Sequence, residues 1–244
     1  MSRFAVILPA AGKSRRFKDP HYRKPYVPLD NRAVWLHSAE KFLNRKDVGQ
    51  LILVVAPEDR EAFFAKFAPN VAILGIDVVL GGDNRVQSVR QALEKVKPEL
   101  EWVAVHDAAR PCLADEWIDR VFAAAKQSGA ALLALPLNGT LKRVERGQIV
   151  ETIERRNVWE AQTPQVFRRQ LLIDAYRQPD AEDATDDAQL VERLGHPVQV
   201  VEGSPLNLKI TTKGDLRLAS VALKALPKPK GLGPAHPFAE DMWR

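Results

Sequence analysis

The chain has 244 residues, 45% of them hydrophobic and 27% charged, which suits one large folded domain with at most a small appendage. The single cysteine, Cys112, excludes an internal disulfide framework, and no apolar run is long enough to span a bilayer. The net charge of +5 fits an anionic partner, but charge alone is better explained by a mildly basic surface without a specific function. The basic residues are scattered rather than gathered in a stripe, so small anionic ligands fit better than nucleic acid.

The N-terminus leads from MSR directly into the apolar run FAVILPAAG. That run is too short for a signal peptide, and a glycine loop stands where a cleavage site would be needed. Together with the lone cysteine, this predicts a cytoplasmic protein without membrane attachment.

Short apolar runs alternate with amphipathic stretches along the chain. The apolar runs predict strands at Phe4–Pro9, Leu51–Ala56, Val78–Leu80, Trp102–Val105, Ala130–Pro136, Val198–Val201 and Leu206–Ile210. The amphipathic stretches predict helices at Ala33–Leu43, Glu58–Phe67, Arg85–Lys97, Glu116–Gln127, Asp186–Leu194 and Gly214–Leu226. This alternation indicates an α/β fold with a mostly parallel sheet covered on both faces, so ligands are expected at the carboxyl ends of the strands.

One stretch departs from the alternation. Leu141–Val144 and Gln148–Ile153 flank Glu145-Arg146-Gly147, a hairpin pattern. The hairpin is expected to project as an arm, at about residues 138–156 of a domain spanning 1–226. It is either an extra edge hairpin or a dimerisation arm, because a lone hairpin is marginal in water. Residues 227–244 are rich in Pro and Gly and predict an extended tail.

The loop after the first predicted strand, LPAAGKSRRF, combines small residues with basic ones. Small side chains let a ligand approach the backbone, whose N–H groups can bind phosphate oxygens, while Arg15 and Arg16 supply positive charge. A tight turn explains the glycine equally well. The loop matches neither GxGxxG nor GxxxxGK[ST], which argues against an NAD-dependent oxidoreductase and a P-loop protein.

The segment His106-Asp-Ala-Ala-Arg-Pro111 follows the Trp102–Val105 run. Asp107 is thereby placed at the carboxyl end of a strand, where a carboxylate can bind Mg²⁺. Arg110 is expected to face the same crevice. The alternative is an Asp–Arg pair that stabilises a turn. His106 is expected to form structural hydrogen bonds rather than act in catalysis.

The segment Gly81-Gly-Asp-Asn-Arg-Val-Gln-Ser88 leads into a predicted helix, with Asp83 as its expected N-cap. Capping alone would explain Asp83. The functional alternative is that Gly82, Asp83 and Ser88 bind a nucleobase edge.

Further polar residues lie downstream. Thr140 opens the predicted arm, Arg155 closes it, and Thr163-Pro-Gln165 follows Trp159. Lys209 lies in the last apolar run. A lysine within a buried strand is costly unless it meets an anion, so Lys209 either binds one or reaches solvent from an edge strand.

These segments occur together in the order and spacing of a known family. They are LPAAG…RRF, GGDNRVQSV, VHDAARP, TLKRV, TIERRNVWEAQTPQVF, ATDDAQLVE and NLKITTKGDL. From roughly Phe4 to Leu226 the chain resembles the 2-C-methyl-D-erythritol 4-phosphate cytidylyltransferases of isoprenoid biosynthesis. The resemblance implies a three-layer fold like that of nucleotide-diphospho-sugar transferases, and a homodimer with interlocked arms. It also implies the reaction of CTP and the methylerythritol phosphate, with Mg²⁺, to 4-diphosphocytidyl-2-C-methyl-D-erythritol and pyrophosphate.

The resemblance also implies roles for individual residues. The nucleotide-binding set is Pro9, Ala10, Ala11, Gly12, Gly82, Asp83, Arg85 and Ser88. The catalytic set is Arg16, Lys24, Arg155 and Lys209, with Arg155 reaching the partner subunit's site. The acceptor-binding set is Asp107, Arg110, Thr140 and Thr163, and Asp107 also binds the metal. Whether Arg23 or Lys24 faces the triphosphate stays open, because the loop before them is longer than is usual in the family.

Two other functions remain open on sequence grounds. A ribitol-5-phosphate cytidylyltransferase has similar motifs and a similar polyol phosphate acceptor. A non-catalytic nucleotide-binding dimer is disfavoured, because binding alone would not need Lys24, Asp107 and Lys209 together.

Overall fold

The chain folds around a seven-stranded mixed sheet, and the computed structural model describes residues 3–12, 17, 24–179 and 181–227. The strands are β1 (Phe4–Pro9), β2 (Pro28–Leu29), β3 (Arg32–Ala33), β4 (Val48–Val55), β5 (Asp77–Leu80), β6 (Trp102–Val105), β7 (Ala130–Pro136), β8 (Leu141–Glu145), β9 (Gln148–Ile153), β10 (Trp159–Arg168) and β11 (Gln199–Glu202). The helices are α1 (Val34–Leu43), α2 (Arg60–Leu74), α3 (Arg85–Leu93), α4 (Asp115–Ser128), α5 (Arg169–Tyr176), α6 (Asp187–Arg193) and α7 (Lys213–Ala225). The strand order in the main sheet is β11-β7-β10-β6-β1-β4-β5.

The central strands are buried on both faces, which makes the fold three layers deep. Successive side chains of a strand point to opposite faces. In β1, Phe4 and Leu8 accordingly join the core formed with α1, α2 and α4, while Ala5 and Ile7 join the core formed with α3, α5 and α6. The predicted three-layer α/β architecture with a mostly parallel sheet is confirmed.

Strand β10 is antiparallel to both of its neighbours, β6 and β7. It is absent from the predicted strands because its first half is polar and Pro164 interrupts the pattern. Its pairing register with β7 shifts between Ala161 and Gln165. This irregular stretch brings Thr163 beside the carboxyl end of β6, where the backbone N–H of Asp107 donates to its hydroxyl.

The predicted strand at Leu206–Ile210 is wrong. The segment is irregular. It is held to the sheet region by single hydrogen bonds, among them those from the Ile210 N–H to the Ala109 carbonyl and from the Asn207 side chain to the Thr163 carbonyl. Its apolar side chains instead pack in a small separate core beneath α7, with Cys112 and Ala219. The remaining predicted strands and helices are present, although α2 runs on to Leu74 and α3 stops at Leu93.

The predicted hairpin is confirmed as β8 and β9, which form a two-stranded sheet of their own. Its turn holds Arg146 at φ 49° and Gly147 at φ 81°, the left-handed conformation that a tight hairpin turn requires at both central positions. Val144, Ile149 and Val150 are more than half exposed on it. Within the described ranges, none of the helices is both long and apolar enough to cross a bilayer.

Candidate active site

A pocket opens at the carboxyl ends of the central parallel strands, where the alternation of strands and helices predicts it. It is lined by Pro9, Ala10, Ala11, Gly12, Pro25, Gly82, Asp83, Asn84, Arg85, Ser88, Asp107, Ala109 and Lys209. The structure therefore brings together the whole predicted nucleotide-binding set, with Asp107 and Lys209. Arg16 lies outside the described residues, and so does the side chain of Lys24, whose backbone begins a short 3₁₀ turn.

One side of the pocket depends on close backbone approach between two loops. A Cβ atom added to Gly81 would lie 2.8 Å from Ala11 Cβ and 2.6 Å from Ser88 Oγ, so only glycine fits there. Ser88 is buried, accepts a hydrogen bond from the Gly82 N–H at 3.2 Å and donates to the Asn84 carbonyl at 2.8 Å. Ser88 thus fixes the shape of the loop.

The N-cap of α3 is Asn84 and not Asp83. The Asn84 side chain accepts from the Gln87 N–H at 2.8 Å, whereas the Asp83 N–H donates to the side chain of Gln87 at 2.9 Å. Both residue types can cap a helix, and the helix begins at Arg85 as predicted, with the residue directly before it as the cap. The Asp83 side chain is therefore not used for capping.

Asp107 is the electrostatic centre of the pocket. Its Oδ2 lies 2.7 Å from Lys209 Nζ and 3.6 Å from Arg110 Nε. Burial raises the pKa of this carboxyl, but the charges of Lys209, Arg85 and Arg110 outweigh burial and hold the pKa well below its ordinary value. Asp107 is thus ionised throughout the neutral range.

Lys209 meets an anion, as expected of a lysine in an apolar segment, although that segment is not a strand. The anion is Asp107, and the Lys209 side chain remains 39% exposed. Its ammonium group can therefore hold Asp107 and still contact a ligand in the pocket.

Arg110 lies behind the pocket rather than in its lining. It is buried, and its Nη1 donates to the Asn207 carbonyl at 2.7 Å. Burial lowers the pKa of the guanidinium despite the opposing charges of Asp107 and Glu160. Arg110 thus ties the irregular segment that carries Lys209 to the Asp107 turn.

His106 and Thr163 form a buried pair next to Asp107. His106 Nε2 lies 3.0 Å from the Arg110 carbonyl, and its Nδ1 lies 3.0 Å from the Thr163 hydroxyl. Because a carbonyl can only accept, Nε2 carries the proton and Nδ1 accepts from Thr163. Burial lowers the pKa of His106 to about 4, so the ring is neutral. The structural role expected for His106 agrees with this geometry.

Arg85 lines the pocket but is also bound from behind. Its guanidinium donates to both carboxylate oxygens of Asp187, at 3.1 and 2.5 Å, and Asp187 is fully buried. The sequence interpretation missed Asp187. It lies in the ATDDAQLVE motif, where the neighbouring Asp186 caps α6, and adjacent acidic residues at a helix start are usually both assigned to capping.

Thr140 and Arg155 do not line the pocket within this chain. Both are exposed, one before β8 and the other after β9. Their predicted contact with the acceptor would need the arm to reach another subunit.

The described residues contain no group of three or more His, Cys, Asp or Glu side chains that could hold a metal ion. Mg²⁺ does not require such a group, because it is commonly held by one or two carboxylates together with substrate phosphates. An ionised Asp107 at the pocket fits that pattern.

Comparison with known proteins agrees with this arrangement. The family profile of 2-C-methyl-D-erythritol 4-phosphate cytidylyltransferase (IspD) matches residues 4–225. A protein of that name from Rhodopirellula baltica is 44% identical over 230 residues, covering 90% of this chain and 94% of the relative. One from Bacillus velezensis is 38% identical over 225 residues, covering 91% and 96%.

Solved structures give the same result. A crystal structure of 2-C-methyl-D-erythritol 4-phosphate cytidylyltransferase from Thermus thermophilus has a TM-score of 0.74 and 30% identity, covering 92% of this chain and all of that one. A crystal structure of 4-diphosphocytidyl-2C-methyl-D-erythritol synthase has a TM-score of 0.77 and 33% identity, covering 91% and 99%. The chain belongs to the 2-C-methyl-D-erythritol 4-phosphate cytidylyltransferase family.

Proposed function

We propose that this enzyme binds CTP in the pocket at Asp107 and transfers its cytidylyl group to 2-C-methyl-D-erythritol 4-phosphate, releasing pyrophosphate. The observation that carries the proposal is the pairing of an ionised Asp107 with Lys209, 2.7 Å apart, in a pocket that the small-residue loop at residues 9–12 also lines. The named relatives supply the identity of the acceptor.

The nucleotide lies against the two loops that approach each other at Gly81. Residues 9–12 offer backbone close to the ligand, and Gly82, Asp83 and Ser88 bind the cytidine. Arg16 and Lys24 bind the triphosphate, as the family resemblance implies.

A divalent cation, taken as Mg²⁺, is proposed to bind at Asp107 together with the phosphates of CTP. When bound, it would neutralise phosphate charge at the reacting centre. The low pKa of Asp107 keeps the carboxylate available without a proton having to leave first.

The acceptor brings its own nucleophile. A phosphate monoester has a second pKa of about 6 and is mostly dianionic at neutral pH, so no general base is needed. An oxygen of this phosphate bonds to the α-phosphorus of CTP. The bond from that phosphorus to the bridging β-phosphate oxygen breaks, and pyrophosphate leaves with the electron pair. The chain's part is to position two anions and offset their repulsion, and Lys209 is placed to do so beside the acceptor.

A homodimer is part of the proposal. The arm exposes Val144, Ile149 and Val150, and burying them against a second copy would stabilise a hairpin that is marginal alone. The same contact would carry Thr140 and Arg155 toward the partner's pocket, where they would bind the acceptor.

The test is pyrophosphate release by the purified protein with CTP, Mg²⁺ and either 2-C-methyl-D-erythritol 4-phosphate or ribitol 5-phosphate. Release with the first acceptor, lost on adding a chelator, is the expected result. Release with ribitol 5-phosphate alone would keep the chemistry and reject the acceptor. Release unaffected by the chelator would reject the metal.

A further inference from the structure

We propose that Asp187 is a positioning residue of the nucleotide site, which acts by holding Arg85 and the first turn of α3 in place. This inference rests on the proposed function of the pocket as the CTP site. It assigns a role to the second acidic residue of the Asp186-Asp187 pair, at the start of α6.

Asp187 is a buried carboxylate whose hydrogen bonds converge from two helices. Oδ1 accepts from Arg85 Nη1 at 3.1 Å and from the Tyr176 hydroxyl, and Oδ2 accepts from Arg85 Nη2 at 2.5 Å. Burying a charge is strongly unfavourable unless the charge is paired and hydrogen-bonded, and the parallel two-bond contact with arginine is the geometrically most specific pairing. The fold therefore compensates Asp187 through one particular placement of Arg85.

Arg85 connects Asp187 to the pocket. It is the first residue of α3, it lines the pocket, and its side chain is 28% exposed. Its positive charge also contributes to holding the pKa of Asp107 low. The guanidinium consequently lies between a buried carboxylate behind it and the reacting centre in front.

The first turn of α3 has little freedom to move without disturbing the nucleotide loop. Gly81 and Gly82 already approach Ser88 and Gln87 so closely that a Cβ atom at either glycine would lie 2.6 Å from the nearest atom of its neighbour. Since Arg85 begins this turn, a shift of Arg85 would be passed on to the loop. The contact with Asp187 is thus a constraint on the shape of the pocket.

A second acidic residue, Glu182, also contacts the start of α3, and the comparison shows why we assign the positioning role to Asp187. Glu182 accepts from Asn84 at 2.5 Å and from Arg90 at 3.1 Å, but Glu182 is exposed. Exposed ion pairs contribute little to stability, because water screens them. The buried pair of Asp187 and Arg85 is far more sensitive to removal of one partner.

The test measures CTP binding by calorimetry without acceptor, the KM of each substrate, and Tm. The variants are Asp187→Ala, Asp187→Asn and Arg85→Met, together with the double variant Asp187→Ala/Arg85→Met. The matched control is Asp174→Asn, which alters an exposed carboxylate of α5 that pairs with Arg177. Asp187→Asn keeps the side-chain size and one acceptor oxygen, so it serves if the alanine variant does not fold.

Asp187→Ala is expected to weaken CTP binding about tenfold or more, since Arg85 loses the buried carboxylate that fixes its position. Asp187→Asn should give a smaller loss, and in both variants the KM of the acceptor should stay within about twofold of wild type, since Asp187 acts through Arg85. The double variant should bind CTP no more weakly than Arg85→Met, and the control should match wild type.

Unchanged CTP binding in a folded Asp187 variant would overturn the inference, as would additive losses in the double variant. A lowered Tm with unaltered substrate constants would mean that Asp187 only stabilises the fold. If wild type binds CTP but forms no product with either acceptor, the proposed function fails, while the comparison of CTP affinities still decides the role of Asp187.

Discussion

At the residue scale, the site consists of charges that constrain one another. Asp107 is held ionised by Lys209, Arg85 and Arg110, and these cations differ in what else they contact. Arg110 is bound to Asn207 and Arg85 to Asp187, whereas Lys209 remains partly exposed. Lys209 is therefore the cation of the three best placed to change partners when an anionic substrate arrives.

Replacing Lys209 by alanine is expected to lower kcat about 10²-fold or more while changing CTP affinity much less, because the ammonium stabilises charge that develops during transfer. The comparison is steady-state kinetics alongside calorimetry for Lys209→Ala and for Lys95→Ala, an exposed lysine beyond α3. Near-normal turnover in Lys209→Ala would remove it from the catalytic set.

The buried His106 predicts a pH dependence of stability. Burial lowers its pKa from 6.5 to about 4, with the charge of Asp107 raising the pKa and that of Arg110 lowering it. The unfolded state therefore binds a proton first as pH falls. The contribution of the neutral His106 ring to the free energy of unfolding is complete above pH 6.5 and is lost between pH 6.5 and pH 4. At pH 5 the loss is about 2 kcal/mol.

Thermal unfolding at pH 7 and pH 5 checks this prediction. From pH 7 to pH 5 the Tm of wild type should fall by more than the Tm of His106→Gln, which has no titrating ring. His196→Gln replaces a half-buried histidine on another part of the surface and serves as the matched control for the substitution itself. Equal slopes in wild type and His106→Gln would show that His106 titrates normally in the folded protein.

Much of the site was predictable from single residues, because the motifs place polar side chains directly after apolar runs. The pocket contains Asp107, Lys209 and the two loops that the motifs indicated. Asp187 was not predictable, since its role depends on a partner that is distant in sequence. The roles of Arg110 and Thr163 also depend on such contacts. Both proved to be buried and bonded within the protein.

At the element scale, the pattern of apolar residues identified the helices it predicted and the uniformly apolar strands, but it gave wrong results for strand β10 and for the run Leu206–Ile210. Strand β10 was missed because it is half polar, and its burial comes from its position between β6 and β7. The run Leu206–Ile210 was misassigned because apolar side chains do not reveal which core they join. The hairpin was predicted correctly because a turn sequence is a local signal.

The arm yields a prediction of its own. Ile149→Lys is expected to disrupt the proposed dimer and to lower turnover, since a charge would be placed in the apolar interface that the arm is proposed to form. Size-exclusion chromatography with light scattering measures the molecular mass of wild type and variant at the same protein concentration. The control is Ile73→Lys, because Ile73 is 83% exposed on α2, away from the arm. A dimer that persists in Ile149→Lys would move the interface elsewhere.

At the scale of the whole molecule, alternating strands and helices were enough to predict the layers and the end of the sheet that holds the pocket. The strand order was not predictable, because pairing between distant strands leaves no mark in a single sequence. The domain limits at 1–226 and the cytoplasmic location stay predictions. The expected tail falls mostly on residues 228–244, outside the described part of the chain.

We infer that Asp107 organises the transfer of the cytidylyl group. The measurement that tests this role compares product formation and metal-free CTP binding in wild type and Asp107→Asn, which keeps the size of the side chain and removes its charge. CTP should still bind to Asp107→Asn, while turnover should fall about 10²-fold or more at saturating Mg²⁺. Turnover close to wild type in Asp107→Asn would contradict it.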